Sequence, residues 1–491
     1  MKNLFDILVE ANKKAKDKYA ILTEKNKYTF AEYLSKAKKV ANFLIKEDFD
    51  LKKPFLVLID DNEYDLFAFM GILGAGGYYV AINYKTPKER LEEIIKRYDF
   101  AGILSSKESS IFSKDIKEII ETNEEIDMKF LNKSIRTSPA FGMFTSGSTG
   151  SPKLVLKSHG SIIDQCRNFN EEFNFTREDI FGNQVSFEFD SSCKSIFLSI
   201  YNLAAIALIP PKYFMFPKKI LDLINYFQAS VLIWSTFALR IMENFKAFSY
   251  KKIPSVKKVM FSGEILPKRT AIYWMENSQA KFYNLYAPTE VSFNCLYHEI
   301  SKDDDLLNIP AGKEVPGSKI YILDEENKPC KENEEGQIFV GGEGLALGYY
   351  DDFEKTNMTF VQNPLQNKYR EIFYKTGDFG LIKNGEIYFK GRMDNQVKHL
   401  GYRIELGEIE NRINALEGID ISGVLFEKEK ELISVFYQGQ IDEKNMFRLL
   451  KDKLPRHMMP KKIIRLDVMP LNRNNKVDRN KLKEYLGEKN D

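Results

Sequence analysis

Between Phe55 and Tyr286, short apolar runs alternate with stretches of helical spacing, and that alternation limits the folds open to this chain. Phe55-Leu-Val-Leu-Ile59 and Tyr78-Tyr-Val-Ala-Ile82 read as buried strands flanking a helix over 63–73, a βαβ unit. Further along, strands are expected over 231–234, 256–261 and 281–286, with helices over 217–229, 236–247 and 267–278. Strands separated by helices cannot pair as hairpins, so the repeat implies a mainly parallel sheet wrapped by helices. Ligands of such sheets bind beyond the carboxyl ends of the strands. That rule places Ser262-Gly263-Glu264 and Ala287-Pro-Thr289-Glu290, which follow two of these strands, at the mouth of a site.

The flanks differ in texture. Upstream, Thr29 with Glu32 three residues on forms a capping box for a helix that opens at Tyr28. Gly71, Gly74, Gly76 and Gly77 read as positions of close helix–sheet packing rather than as a nucleotide loop. From Lys319 the pattern changes to short β segments over 320–324, 337–341 and 386–390, a small β subdomain. Beyond Arg392 come helix 406–416, strands 421–427 and 432–437, helix 443–453, strand 461–466 and a helix from Asp478. This last piece reads as a small α+β domain, and 491 residues suit two or three domains.

Charge and cysteine content exclude several classes. Seventy-two basic against seventy acidic residues give a net of +2, so charge points to no nucleic-acid or membrane partner. Cys166, Cys193, Cys295 and Cys330 lack C-x-x-C spacing, which suggests neither a zinc site nor a disulfide framework and makes a reducing cytoplasm the default. The longest apolar stretch, Ile196 to Ile209, is interrupted by Ser199 and Asn202, and it falls short of the roughly 20 residues that cross a bilayer. The N-terminus has the helical spacing Leu4, Phe5, Leu8, Val9 and no signal-peptide core, so a soluble enzyme is expected.

Phe144-Thr-Ser-Gly-Ser-Thr-Gly-Ser-Pro-Lys153 is the stretch that points to chemistry. Its small residues bring backbone N–H groups close to an anion, Ser146, Ser148 and Thr149 add hydroxyls, and Lys153 adds a positive charge. A Gly/Ser run is often a flexible tether. Here Ala140–Phe144 precedes it and Leu154-Val-Leu156 follows, so a turn held between two strands fits better. A Walker A loop is excluded, because Pro152 and Leu154 stand where the second Gly and the Ser/Thr belong.

Thr145-Ser146-Gly147-Ser148-Thr149-Gly150-Ser-Pro-Lys153 resembles the signature loop of the adenylate-forming superfamily, and further blocks follow in that family's order. Asn284-Leu-Tyr286-Ala287-Pro-Thr289-Glu290 is similar to N-x-Y-G-P-T-E, with Ala287 in the glycine position. Tyr374-Lys-Thr-Gly-Asp378 resembles the next block, although a lone T-G-D would otherwise read as a β-turn. The run from Gly391 to Glu410 matches G-R-x-D-x-Q-V-K-x-x-G-x-R-I-E-L-G-E-I-E over nearly its whole length. Asn474-Asn-Lys476-Val-Asp-Arg479 is similar to the N-G-K-x-D-R tail motif, with Asn475 for Gly.

The resemblance covers Tyr28 to Arg479 and implies an α/β core over 1–393 and a mobile α+β lid over 394–491, with the hinge at Asp394. It implies ATP and Mg²⁺ as cofactors. The nucleotide would be held by the loop, Gly263, Glu264, Tyr286 against adenine, Thr289 on phosphate, Asp378 on the ribose hydroxyls, and Arg392. Glu290 would hold the metal, and Lys476 would enter the site for adenylation. A carboxylate attacking the α-phosphate is anion meeting anion, so screening and in-line positioning carry that step and no protein nucleophile is needed. None of the four histidines is assigned a role, and His159 reads as structural.

Asp190, in Phe189-Asp-Ser-Ser192, matches the position where amino-acid-activating members pair the substrate's ammonium group. A buried cation needs such a counter-charge. Motif offsets place Ser191, Lys194, Val259, Phe261, Leu285, Phe293 and Asn294 along the side-chain pocket, with Phe261, Leu285 and Phe293 expected to exclude a large aromatic substrate. Lys194 either meets a carboxylate or hydroxyl of the substrate or snorkels to solvent. No carrier domain is expected after Arg479, nor a condensation domain before the first block. The expectation is a stand-alone amino-acid adenylating ligase that loads the phosphopantetheine of a separate carrier protein. The alternatives are an amino-acid or aryl/acyl acid:CoA ligase and an inactive relative retained as a binding protein.

Overall fold

The computed structural model describes residues 1–109, 111–131, 134–145, 152–264, 266–392, 396–427, 430–471 and 477–487. The chain divides into two compact units. One comprises residues 1–84, 99–143 and 154–393, and the other residues 85–98, 144–153 and 394–491.

In the first unit, the helix Phe30–Lys46 opens on the expected capping box: Thr29 Oγ1 accepts the Glu32 N–H at 3.2 Å, and Glu32 returns the bond to the Thr29 N–H at 2.8 Å. The helix Glu63–Ala75 is buried on nearly every side, as the apolar run from Leu66 to Ala75 requires. Its glycines serve a different contact from the one expected. A Cβ on Gly71 would meet Val40 at 2.5 Å, and one on Gly74 would meet Phe5 at 2.8 Å. These two therefore pack helix against helix; Gly77, facing Phe55, is the one that approaches the sheet.

Two large sheets carry the unit. The strand Phe55–Ile59, buried at all five positions, pairs in parallel with Tyr79–Asn83 and Gly102–Ser105 in a seven-stranded sheet that also contains Pro139–Thr145 and Lys153–Ser158. The nine-stranded sheet has the parallel core Val231–Ser235, Lys258–Ser262 and Lys281–Tyr286, extended in antiparallel fashion by Leu296–Ile300 and Lys313–Glu314. The apolar run 196–209 is split between the helix Ser192–Tyr201 and the strand Ala205–Leu208, with Leu203 in the left-handed region between them. No helix among the described residues is long and apolar enough to cross a membrane.

A five-stranded antiparallel sheet forms the β subdomain, built on Ser318–Leu323, Gly336–Gly342, Ile372–Lys383 and Glu386–Arg392 with Phe360–Gln362 at one side. The strand Ile372–Lys383, twelve residues long, runs through Thr376-Gly-Asp378, so that triplet is not an isolated turn.

The second unit is built on the strands Ile419–Glu427, Leu432–Gly439 and Lys462–Arg465, with the helices Leu406–Asn414 and Glu443–Lys453 supplying Ile409, Ile413, Met446 and Leu450 to its core. The helix Lys88–Arg97 belongs to it through charge. Arg90 pairs with the fully buried Glu408, Arg412 grips Glu93 with two bonds of 2.6 and 2.5 Å, and Lys453 lies 3.5 Å from Glu89. The last helix, expected from Asp478, runs over Arg479–Glu484 with Asp478 as its N-cap.

Candidate active site

Strand register assembles the first group of site residues. Asp378 and Arg392 are cross-strand partners in the β subdomain, which places guanidinium against carboxylate. The hydroxyl of Tyr286, from the carboxyl end of the strand Lys281–Tyr286, donates to the other oxygen of Asp378. Gly377 sits at φ +73°, where L side chains are strained, and a Cβ there would lie 3.2 Å from Arg392 Nη2. The glycine thus turns Asp378 inward while leaving room for the arginine. Thr376 Oγ1 accepts the Asp378 N–H at 2.9 Å and donates to the Ile338 carbonyl at 2.7 Å, which holds the turn. Burial and the Asp378 charge push the Tyr286 hydroxyl well above its usual pKa, so it stays protonated and remains a donor. Each carboxylate oxygen has two acceptor sites, so Asp378 keeps capacity for the hydroxyls of a sugar.

Glu290 forms the second group. It is buried, and Tyr349 donates its hydroxyl to Glu290 Oε1 at 2.7 Å. Burial, with the glutamate charge second, raises the pKa of Tyr349. Glu290 thus offers oxygen ligands that suit a hard cation; Mg²⁺ sites typically take one or two carboxylates and complete the shell with phosphate and water. Ala287 and Thr289 flank it and are half-buried. Gly263 and Glu264 follow the strand Lys258–Ser262, and the carbonyl of Glu264 accepts from Thr236 Oγ1 at 3.0 Å.

The third group contains a residue that the motif reading missed. Lys157, in the strand Lys153–Ser158, is 0% exposed; its ammonium lies 3.4 Å from Asp190 Oδ1 and donates to the carbonyl of Thr289. The signal was a lysine inside the apolar run Leu154-Val-Leu-Lys-Ser158, an expensive place for a charge without a partner. Tyr349 was missed as well, and nothing in Gly348-Tyr-Tyr350 marks it. Asp190 immediately precedes Ser191, the N-cap of the helix Ser192–Tyr201, and its side chain is 16% exposed. Lys194, in the first turn of that helix, is 1% exposed, so it does not snorkel.

The expected side-chain pocket needs one correction. Leu285 and Phe293 are buried in the core cluster that holds Cys193 and Phe197, on the face of the nine-stranded sheet next to the Asp190 helix. Phe261 and Val259 are not; they belong to the opposite cluster, with Trp234 and Trp274. Strand alternation is the reason, since Met260 shares the first face with its cross-strand neighbour Tyr283. Phe261 therefore does not fill the Leu285 side. Asn294 is buried with its Oδ1 unpartnered among the described residues.

Within the second unit, Thr145 ends the strand Pro139–Thr145, and Lys153 Nζ lies 3.9 Å from Glu405. Ser146, Gly147, Ser148, Thr149, Gly150, Asp394 and Lys476 lie outside the described residues. His159 is placed as a structural residue: its Nδ1 accepts the Leu4 N–H at 3.1 Å, and burial pushes its pKa down to about 4.

The family model of the AMP-binding enzymes matches residues 8–350. Bacitracin synthase 1 of Bacillus licheniformis is 28% identical over 502 residues, covering 98% of this chain and 9% of that protein. A D-alanine–D-alanyl carrier protein ligase of Bacillus cytotoxicus is 27% identical over 493 residues, covering 95% of this chain and 96% of that one. The chain spans only 6% to 9% of the linear gramicidin, bacitracin and PksN synthases it matches. Among solved structures, the Vibrio cholerae adenylation domain AlmE, in complex with glycyl-adenosine-5'-phosphate, aligns with a TM-score of 0.83 at 20% identity over 99% of this chain and 97% of that one. The Bacillus subtilis o-succinylbenzoate CoA synthetase aligns at 0.86 and 19% identity over 99% and 98% of the two chains. At these identities the two structures speak for the fold: α/β, with large N-terminal sheets and a small C-terminal α+β domain. The chain belongs to the AMP-binding enzyme family, the AMP-forming adenylating ligases.

Proposed function

We propose that this protein activates an amino acid with ATP as the aminoacyl-adenylate and transfers the acyl group to the phosphopantetheine thiol of a separate carrier protein. The observation that carries the reading is Asp190, a carboxylate just before the N-cap of the helix Ser192–Tyr201, whose Cys193 and Phe197 share a core cluster with Leu285 and Phe293. An ammonium group leaving water needs such a partner.

In the first half-reaction a substrate carboxylate oxygen bonds to the α-phosphorus of ATP, and pyrophosphate leaves with the electrons of the broken P–O bond. Asp378 and Tyr286 bind and orient the nucleoside, and Arg392 neutralises the charge that gathers there. Glu290, held by Tyr349, is the residue that would hold Mg²⁺, which when bound screens the phosphate charge. Lys476 supplies a further cation at the α-phosphate in this reading. In the second half-reaction the lid, 394–491, turns about Asp394. The thiol sulfur then bonds to the acyl carbon, AMP departs with the electrons of the C–O bond, and the thiol proton passes to solvent. Family relatives that include carrier protein ligases support the acceptor.

One observation favours a second reading. Lys157 already supplies Asp190 with a counter-charge at 3.4 Å, so the aspartate does not require a substrate ammonium. An aryl or acyl acid, with CoA as acceptor, satisfies that arrangement. ATP–pyrophosphate exchange on a panel of amino acids in both enantiomers and of acids lacking an amine separates the two, and free CoA against a phosphopantetheinylated carrier tests the acceptor. For an amino-acid enzyme, Asp190→Ala raises KM for the amino acid far more than KM for ATP. A loss confined to ATP would remove Asp190 from the ammonium role.

A further inference from the structure

Lys194 has no structural use that accounts for its position. It is 1% exposed, and among the described residues no carboxylate lies within 4 Å of its ammonium and no hydrogen bond is made to it. Three effects oppose its charge there. Burial removes its water, which lowers its pKa first of all. Lys157 is near enough to repel it. It also sits in the first turn of the helix Ser192–Tyr201, where the helix dipole disfavours cations. Asp190 attracts it but is already matched by Lys157 at 3.4 Å. Asp190 is thus engaged by Lys157, and Lys194 has no carboxylate of its own within 4 Å among the described residues.

We infer that Lys194 receives an anionic group on the substrate's side chain, so that the enzyme activates an amino acid bearing a second carboxylate. This rests on the amino-acid reading above. A side-chain carboxylate would give Lys194 the partner that Asp190 gives Lys157 at 3.4 Å. A neutral side chain leaves the buried Lys194 without a partner. Asp190 precedes the N-cap Ser191 and Lys194 lies in the first turn of the same helix, with Asp190 near enough to attract its ammonium.

The test uses the full chain in ATP–pyrophosphate exchange, with aspartate, glutamate and 2-aminoadipate in both enantiomers, their amides, small neutral amino acids, and benzoates lacking an amine. Lys194→Met keeps length and volume while removing the charge, and Lys194→Gln keeps a donor. The acidic members are expected to be the best substrates. For these, Lys194→Met should lower kcat/KM by about a hundredfold or more and hold the amides to within roughly threefold, with KM for ATP unchanged. Melting of the ligand-free protein is expected to be unaffected or raised in Lys194→Met, whereas a lysine needed for folding would lower it. Exchange only with neutral amino acids leaves the amino-acid reading standing and overturns this inference. Equal losses for acids and amides in the variants overturn it too. Exchange only with acids lacking an amine overturns both readings.

Discussion

Removing the buried cation Lys157 tests whether the ion pair with Asp190 organises the site. Lys157→Met leaves Asp190 without its partner at 3.4 Å, only the more distant Lys194 remaining, and the Thr289 carbonyl without its donor, an expected cost of about 3–4 kcal/mol. At 3.4 Å and an effective dielectric of about 20, the Coulomb attraction is about 5 kcal/mol. Water reaches Asp190, whose side chain is 16% exposed, and reduces the expected coupling to about 2–3 kcal/mol. The measurement is a double-mutant cycle with Asp190→Asn, read by urea unfolding. The chain's two tryptophans suit it: Trp234 and Trp274 are buried edge-to-face with centroids 6.2 Å apart, in the same unit as the pair. Their fluorescence therefore follows the unfolding of that unit. A coupling below about 0.5 kcal/mol would refute the reasoning, because the residues would then behave as independent neighbours.

Lys476→Ala is expected to lower adenylate formation about a hundredfold or more while sparing thioester formation from pre-made adenylate; equal loss in both half-reactions would count against alternation of the lid. Tyr349→Phe removes the 2.7 Å bond to Glu290, and the expected result is a higher Mg²⁺ concentration for half-maximal exchange with a rate about tenfold lower, read by metal titration. Asp61, buried and bonded to Ser186 Oγ and the Phe187 N–H at 2.9 and 2.6 Å, has its pKa pushed up to about 7 by burial. The folded protein therefore holds a proton that the unfolded chain releases near pH 4, and stability from this group falls as pH rises from about 4 to 7, by at most about 4 kcal/mol. In Asp61→Asn that component of the slope disappears, which urea midpoints across the range will register.

Much of the architecture was legible because it depends on local rules. The strand Phe55–Ile59, the strand Lys281–Tyr286 and the helix Glu443–Lys453 coincide with the segments expected from apolar runs and helical spacing. The cap at Thr29 is local in the same way, since its side chain bonds an amide three residues on. The motif blocks could be read because Tyr286, Glu290, Asp378 and Arg392 lie in short runs whose composition is constrained.

What the sequence could not specify was which residues meet across the fold. Tyr286 and Asp378 are 92 positions apart, Lys157 and Thr289 are 132, and Tyr349 and Glu290 are 59; each contact follows from sheet order and register rather than from spacing. The same applies to faces. A slip of one residue along a strand exchanges the two sides of a sheet, and so Phe261 was expected beside Leu285 although Met260 shares that face. Lys194 was open between solvent and substrate because a lysine's stem reaches either way, and only the packing around the helix Ser192–Tyr201 closes the route to water. Composition and local pattern determine which elements form and what chemistry they carry. Tertiary packing decides which charges lose their water, and with that which of them need a partner.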